Sequence, residues 1–154
     1  MGRAVIQALI TTSGDGTEAV RPEETILRRV LESNMEGARR DRISPRAFKP
    51  RAEKDKDGLS CFREKYHDPA SVACAPPDFV RPRFARLRVR ELFELKLSVR
   101  ADPFEPNGVG HCLIPELTSL NRSESWAGDL HVRLAHELSE CLGPFNCGDE
   151  KSAA

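Results

Sequence analysis

The chain has 154 residues, of which 39% are hydrophobic and 31% are charged, and its 24 basic residues balance its 24 acidic ones. This length is typical of one globular domain. The neutral total excludes a protein held to nucleic acid or to a membrane by bulk charge alone, and no apolar run approaches the ~20 residues that a membrane span requires.

Short strands and polar turns dominate the pattern up to residue 62. Alternation favours a strand over residues 25–31, although Pro22-Glu23-Glu24 could equally begin a helix there. Residues 34–42 are predicted to be a loop, and residues 43–48, bracketed by prolines, at best an edge strand. Asp57-Gly58 is typical of a turn, and a further strand is predicted at 59–62.

Helices are predicted in the second half of the chain. Asp68 and Pro69 are suited to the start of a short helix that ends before Pro76-Pro77. Residues 84–100 fit both alternation and a helical stripe, and we favour a helix at 87–95 followed by a strand at 97–101. Another strand is predicted at 110–115. The clearest helix is 129–142, which has an apolar arc of about 140° and ends at Gly143-Pro144.

These elements predict one small α+β domain over residues 22–145, with a short mixed or antiparallel sheet and a C-terminal amphipathic helix. Residues 1–21 are expected to be an N-terminal arm and connector, and residues 146–154 a flexible tail. The apolar N-terminal run lacks a small-x-small cleavage pattern. The five cysteines are odd in number and form no Cys-x-x-Cys unit, so we expect free thiols in the cytoplasm.

A basic, proline-punctuated segment at residues 39–51 is the strongest functional signal. It holds six cations against one anion in a chain of zero net charge. Arginine can clamp a phosphate through two hydrogen bonds, and Phe48 could stack on a base or on a nicotinamide ring. The alternative is that this segment is a solvated loop without a ligand, held against the core by its apolar residues. The predicted anion-contacting residues are Arg39, Arg42, Arg46 and Lys49, with Arg86 and Arg88 as candidates from a second basic run.

His111 is the candidate catalytic residue because it follows Gly108-Val109-Gly110, where two glycines leave the backbone without side chains. Histidine titrates near neutrality and can act as a general base or as a hydrogen-bond donor that binds phosphate. A histidine beside glycines is also common in ordinary turns.

The other histidines and the cysteines give weaker signals. His131 and His136 lie about 140° apart on the predicted helix, so they cannot grip one metal ion, and no metal site is predicted. We expect His131 to be a hydrogen-bonded core residue. Cys61 and Cys112 lie on predicted strands and could form a thiol pair, or a couple with His111, if those strands are neighbours. Buried inert cysteines are the alternative.

Several short sequence motifs resemble those of a group of small uncharacterised bacterial proteins. They are Arg-Arg at 28–29, an Ile-Ser-x-x-Ala-Phe-Lys-x-Pro-like box at 43–50, a Leu-Ser-Val-like strand at 59–61 and a Gly-His-x-Leu-Ile-like element at 110–114. The resemblance spans roughly residues 25–118. It implies a bacterial origin and no established activity.

An early arginine and a later serine are also similar to the arrangement in ADP-ribosyltransferase-like folds, in which such residues hold NAD. No convincing Glu-x-Glu is present here, so Glu116 or His111 would have to complete such a site.

Two hypotheses follow. The first is a small binding module without a cofactor, whose basic loop contacts nucleic acid or an acidic protein. The alternative is a nucleotide- or NAD-handling enzyme or toxin, with Arg28 and Ser44 at the phosphates and His111 as the acid–base group.

Overall fold

The computed structural model describes residues 15–51, 55–74, 82–104, 108–118 and 125–145. The strands are β1 Thr25–Val30, β2 Met35–Glu36, β3 Arg42–Ile43, β4 Leu59–Arg63, β5 Arg83–Arg88, β6 Arg100–Ala101, β7 His111–Ile114 and β8 Glu140–Leu142. The helices are α1 Pro69–Cys74, α2 Val89–Glu94 and α3 Ser125–Arg133, which continues into a π-helical turn at Leu134–Leu138. Short 3-10 helices occupy Glu32–Asn34, Pro45–Phe48 and Glu64–Tyr66.

Six of these strands form one sheet in the order β6-β7-β4-β1-β5-β8, and each neighbouring pair is antiparallel. β2 and β3 form a separate antiparallel pair. A small α+β domain with an antiparallel sheet is therefore confirmed. No helix in the described part of the chain is long and apolar enough to cross a membrane.

The predicted edge strand at 43–48 is wrong beyond Ile43, because a 3-10 helix begins at Pro45. Ser44 caps this helix: its hydroxyl accepts a hydrogen bond from the Arg46 main-chain N–H at 3.2 Å. Proline at the first helical position fits because its missing N–H is not needed there. Local capping chemistry therefore overrides the extended pattern.

The strand β5 was not predicted, and the helix that follows it starts two residues later than expected, at Val89. β5 pairs with β1 along six residues, from Thr25↔Arg88 to Val30↔Arg83. The predicted helix at 129–142 is wrong at its end, because Glu140–Leu142 is a strand that pairs with β5. The amphipathic character of the C-terminal helix stays a prediction.

The two faces of the sheet bury different groups. The larger core lies on the face that carries Ile26 and Val30 of β1 and Leu59 of β4, and the helix residues Leu92 and Leu134 belong to it. The opposite face carries a smaller apolar cluster around Leu27, Ala73 and Phe84. Polar side chains of β4 and β7 share this second face.

Arg63 at the end of β4 fixes the segment before β1. Its side chain is fully buried and donates to Glu24 at 2.9 and 2.7 Å and to the main-chain oxygens of Gly16 and Glu18 at 3.2 and 2.9 Å. Burial alone would lower the pKa of Arg63, but the hydrogen bonds and charge of Glu24 raise it above its usual value. Part of the predicted connector is thereby tied to the sheet.

Candidate functional site

β1 and β4 separate part-way along the sheet. Their main chains are paired at Ile26↔Arg63 and Leu27↔Phe62, and no further pair follows between them, although β1 continues to Val30 and β4 reaches back to Leu59. Neighbouring strands that separate in this way leave main-chain hydrogen-bonding groups that need other partners.

Two side chains supply those partners at Ser60. The Ser60 N–H donates to Asp55 Oδ1 at 3.3 Å, and the Ser60 carbonyl accepts from Arg28 Nη1 at 2.8 Å. Arg28 Nε also donates to the carbonyl of Ala47 at 2.9 Å. Side chains thus replace the neighbouring strand and hold the main chain of Ser60 in place.

Asp55 is the buried anion of this arrangement. Its side chain is 0% exposed, lies 4.0 Å from Arg28 Nη2 and accepts from Arg51 Nε at 2.9 Å and from the Arg51 N–H at 2.6 Å. Burial alone would raise the pKa of Asp55, but the Arg51 hydrogen bonds and the Arg28 charge lower it below its usual value. Burial lowers the pKa of Arg28, which the charge of Asp55 partly offsets.

A cleft of about 350 Å³ opens where the two strands separate. Its described lining contains five cations and no acid, so the lining carries positive charge. The lining residues are Arg28, Arg29, Leu31, Asn34, Arg46, Lys49, Arg51, Ser60 and Phe62. We call this space the cationic cleft.

The structure brings only some of the predicted anion-contacting residues to the cationic cleft. Arg28, Arg46 and Lys49 line it. Arg39 is exposed outside the described lining, and the exposed Arg42 pairs with Glu36 at 3.0 Å.

Ser44, the predicted phosphate contact of the enzyme hypothesis, is 4% exposed and serves as the helix cap. Arg29, Arg51 and Ser60 line the cleft without having been singled out as anion-contacting residues.

The second basic run lies outside the described lining of the cleft. Arg86 donates to Glu64 at 2.7 and 2.9 Å and to Glu140 at 3.1 Å, so its charge is balanced within the fold. Arg88 is exposed at the end of β5 opposite Thr25.

His111 bridges a serine and an aspartate. With its proton on Nδ1, its ring accepts from Ser60 Oγ at Nε2 over 2.6 Å and donates to Asp102 Oδ2 over 3.0 Å. The histidine is 6% exposed, whereas the Asp102 side chain is 26% exposed. We call these three residues the serine relay. Such a chain of hydrogen bonds can move a proton from the hydroxyl to the imidazole.

Strand register assembles the serine relay. Phe62 of β4 is opposite His111 of β7, which places Ser60, two residues away, on the same face. Asp102 follows β6, and its N–H donates to the His111 carbonyl at 2.8 Å, so it is opposite His111 on the other side. Three neighbouring strands therefore each contribute one member.

Aromatic and histidine rings surround His111. The Phe62 ring contacts it edge-on with 6.0 Å between centroids, and contacts His67 in the same manner at 5.3 Å. His67 Nε2 lies 3.0 Å from the carbonyl of Val109. Burial lowers the pKa of His67 below its usual value, and the hydrogen bond to Val109 opposes that shift. Gly110, with φ of +93°, leaves room for the His67 ring.

Cys61 and Cys112 are opposite each other on β4 and β7, and both are free and buried. Burial raises the pKa of Cys61 to about 12, so its thiol is protonated at neutral pH. His131 is buried as predicted, but the predicted hydrogen bonding is wrong: neither ring nitrogen has a hydrogen-bond partner in the described part of the chain. Glu116 accepts from the Ser98 N–H and hydroxyl at 2.9 and 2.6 Å.

No protein-family model, curated protein or solved structure matches this chain. The resemblance to small bacterial proteins therefore stays a prediction.

Proposed function

We propose that this protein is a binding module whose cationic cleft takes a phosphate group of an anionic partner. The observation behind the proposal is the excess of cations around the opening: five line it, and Asp55 is the buried acid that balances part of their charge. Arg46 and Lys49 are exposed and have no ion pair among the described residues, and Arg46 Nη2 donates to the Ser33 carbonyl at 3.0 Å, so neither charge is balanced by an acid there.

Nucleic acid is the partner class that these residues favour. The lining contains four guanidinium groups and one ammonium group, and guanidinium matches the geometry of a phosphate through paired hydrogen bonds. The basic loop at 39–51 extends this charge beyond the cleft and could follow a sugar-phosphate backbone. A cleft of about 350 Å³ is small enough to favour part of a single strand over a duplex.

Binding is tested by fluorescence anisotropy with a labelled single-stranded RNA, the matching DNA and an acidic peptide, each over a range of salt concentrations. Reversing two charges in Arg46→Glu/Lys49→Glu should weaken RNA or DNA binding at least about tenfold. It should also reduce the slope of log affinity against log salt by about 1.4, because each lost phosphate contact on a single strand accounts for about 0.7.

Two control variants locate the contact. Arg133→Glu changes an exposed residue of α3 and should leave affinity within about twofold if the cleft is responsible. Arg42→Glu changes a residue of the same basic loop outside the described cleft lining. If Arg42→Glu lowers the affinity as much as the double variant does, the contact site is the surface of the basic loop and not the cleft. Binding of the acidic peptide alone would make the partner an acidic protein, and binding of none of the three probes would reject the proposal.

The alternative of an NAD- or nucleotide-handling enzyme retains one supporting observation, the position of His111 beside Ser60. Arg28, rather than Ser44, would contact the phosphates, since Arg28 lines the cleft. NAD turnover by the wild-type protein that is lost in His111→Gln would support this alternative. Absence of turnover and of a thermal shift with NAD would reject it.

A further inference from the structure

We propose that Ser60 is the nucleophile of a hydrolytic site in which His111 is the general base and Asp102 the positioning residue. The substrate class is a carboxylic ester that carries a phosphate or carboxylate group. The charge preference rests on the anion binding proposed above, whereas the nucleophilic serine does not depend on it.

The geometry of the serine relay is that of an activated hydroxyl. Ser60 Oγ is 2.6 Å from His111 Nε2, and His111 Nδ1 is 3.0 Å from Asp102 Oδ2. Both distances lie within the range that a nucleophile, its base and an orienting group require. Asp102 fixes the ring so that Nε2, the atom facing Ser60, is free to accept a proton.

The same serine is open to a ligand. Ser60 is half-buried and lines the cationic cleft, whereas His111 lies behind it and is 6% exposed. Ser60 is therefore accessible from the cleft, and His111 is not among the described lining residues. Arg28 and Asp55 hold the main chain of Ser60 in place, which limits the positions that Oγ can adopt.

The reaction balances with water as the second reactant. Ser60 Oγ bonds to the ester carbonyl carbon while its proton passes to His111 Nε2. The tetrahedral intermediate then breaks the bond to the alcohol oxygen, which leaves with the proton from Nε2. Water attacks the acyl-serine, gives a proton to Nε2 and releases the acid, and that proton returns to Ser60 Oγ.

Cations of the cleft determine which ester is preferred. An anionic group on the substrate would contact Arg46 and Lys49 while the ester carbonyl lies at Ser60, since all three residues line one cleft. Neutral esters lack that contact and should react at a lower kcat/KM.

The first experiment uses an uncharged alkyl fluorophosphonate, which phosphonylates activated serines with loss of fluoride. Intact-mass and peptide analysis should show one adduct, on Ser60, and none in Ser60→Ala. His111→Gln should lower the labelling rate about 100-fold or more, in line with the usual contribution of a general base. In the wild type the labelling rate should depend on pH, and His111→Gln should abolish that dependence.

Asp102→Asn tests whether Asp102 positions the His111 ring. Its plot of labelling rate against pH should be shifted or flattened, while its thermal midpoint stays near that of the wild type. Ser98→Ala is the matched control, because the Ser98 hydroxyl is exposed and donates to Glu116 rather than to a histidine. Its labelling should equal that of the wild type.

The proposal that Ser60 is the nucleophile is rejected if the folded wild-type protein shows no adduct on Ser60. It is also rejected if the wild type and His111→Gln are labelled at equal rates. Circular dichroism of each variant separates these outcomes from misfolding.

The second experiment compares hydrolysis of a phosphate-bearing ester and its neutral analogue. Arg46→Glu/Lys49→Glu should lower kcat/KM for the charged ester about tenfold or more relative to kcat/KM for the neutral ester. If Ser60 is labelled but the two esters are hydrolysed equally, Ser60 is still the nucleophile, and the proposal that the substrate carries a charged group is rejected. Anion binding without labelling would keep the proposed binding function and overturn the hydrolytic site.

Discussion

Arg28 donates a hydrogen bond to the main-chain carbonyl of Ser60 at 2.8 Å from a strand with which Ser60 is not paired. In a regular sheet the main chain of β1 would make that bond. Here a side chain makes it, and the space left between the strands is the cationic cleft. The Arg28 side chain therefore bridges the two strands at the cleft and positions Ser60 at its edge.

Replacing Asp55 by asparagine should destabilise the fold by roughly 3–5 kcal/mol, because Arg28 would become a buried charge without its anion. Chemical denaturation of the wild type and Asp55→Asn measures the difference. Glu137→Gln is the matched control: Glu137 pairs with Arg133 at 3.7 Å on an exposed helix surface and should change stability by less than about 1 kcal/mol. Equal losses in the two variants would contradict the structural role of Asp55.

The pH dependence of stability should follow the depressed pKa of Asp55. A carboxyl with a lowered folded-state pKa contributes stability that is fully present above its unfolded value of about 4. That contribution is lost as the pH falls through the folded-state pKa. Asp55→Asn should therefore flatten the acid side of a plot of unfolding free energy against pH, and parallel acid limbs in the two proteins would rule this out.

Replacing Arg63 by methionine should cost roughly 3–5 kcal/mol, because Glu24, with a side chain 9% exposed, would lose its main cationic partner. Main-chain oxygens of Gly16 and Glu18 would lose their donor as well. Arg42→Met, which removes an exposed cation paired with Glu36, is the control and should have little effect. Urea midpoints of the three proteins provide the measurement, and a small effect of Arg63→Met would contradict the anchoring of the segment before β1.

Gly110→Ala should be more destabilising than Gly108→Ala. Both glycines have positive φ, +93° and +87°, so both substitutions strain the backbone to a similar extent. A Cβ at Gly110 would meet the His67 ring and the Tyr66 Cβ, whereas a Cβ at Gly108 meets nothing within 4 Å. The difference between the two thermal midpoints measures the cost of these contacts with Tyr66 and His67, and equal midpoints would show that both residues adapt without cost.

Strands β1, β4 and β7 could be predicted from the sequence because alternation and adjacent turn residues act locally. β5 could not, because its residues include cations whose partners are distant in the chain. Arg83 is 3% exposed and pairs at 2.7 Å with Glu32, which lies 51 residues earlier. A buried arginine in a strand is favourable only once that partner is in place.

The candidate site shows the same limit. His111 could be singled out because glycines precede it, and Arg46 and Lys49 because cations cluster around them. Ser60 and Asp102 carry no local signal, since they approach His111 only through the order of three strands. His111 and part of the cleft lining could therefore be singled out from the sequence, whereas Ser60 could not.

The separation of β1 from β4 also divides the sheet. Strands β6, β7 and β4 carry the serine relay, strands β1, β5 and β8 carry Arg28 and Arg29, and two main-chain residue pairs join the halves in the described part of the chain. A ligand that contacts both Arg28 and Ser60 adds a bridge across this seam, so its binding and the cohesion of the two halves are thermodynamically linked. Amide hydrogen exchange should consequently slow in β1 and β4 together when the cleft is filled, including at amides that touch no ligand.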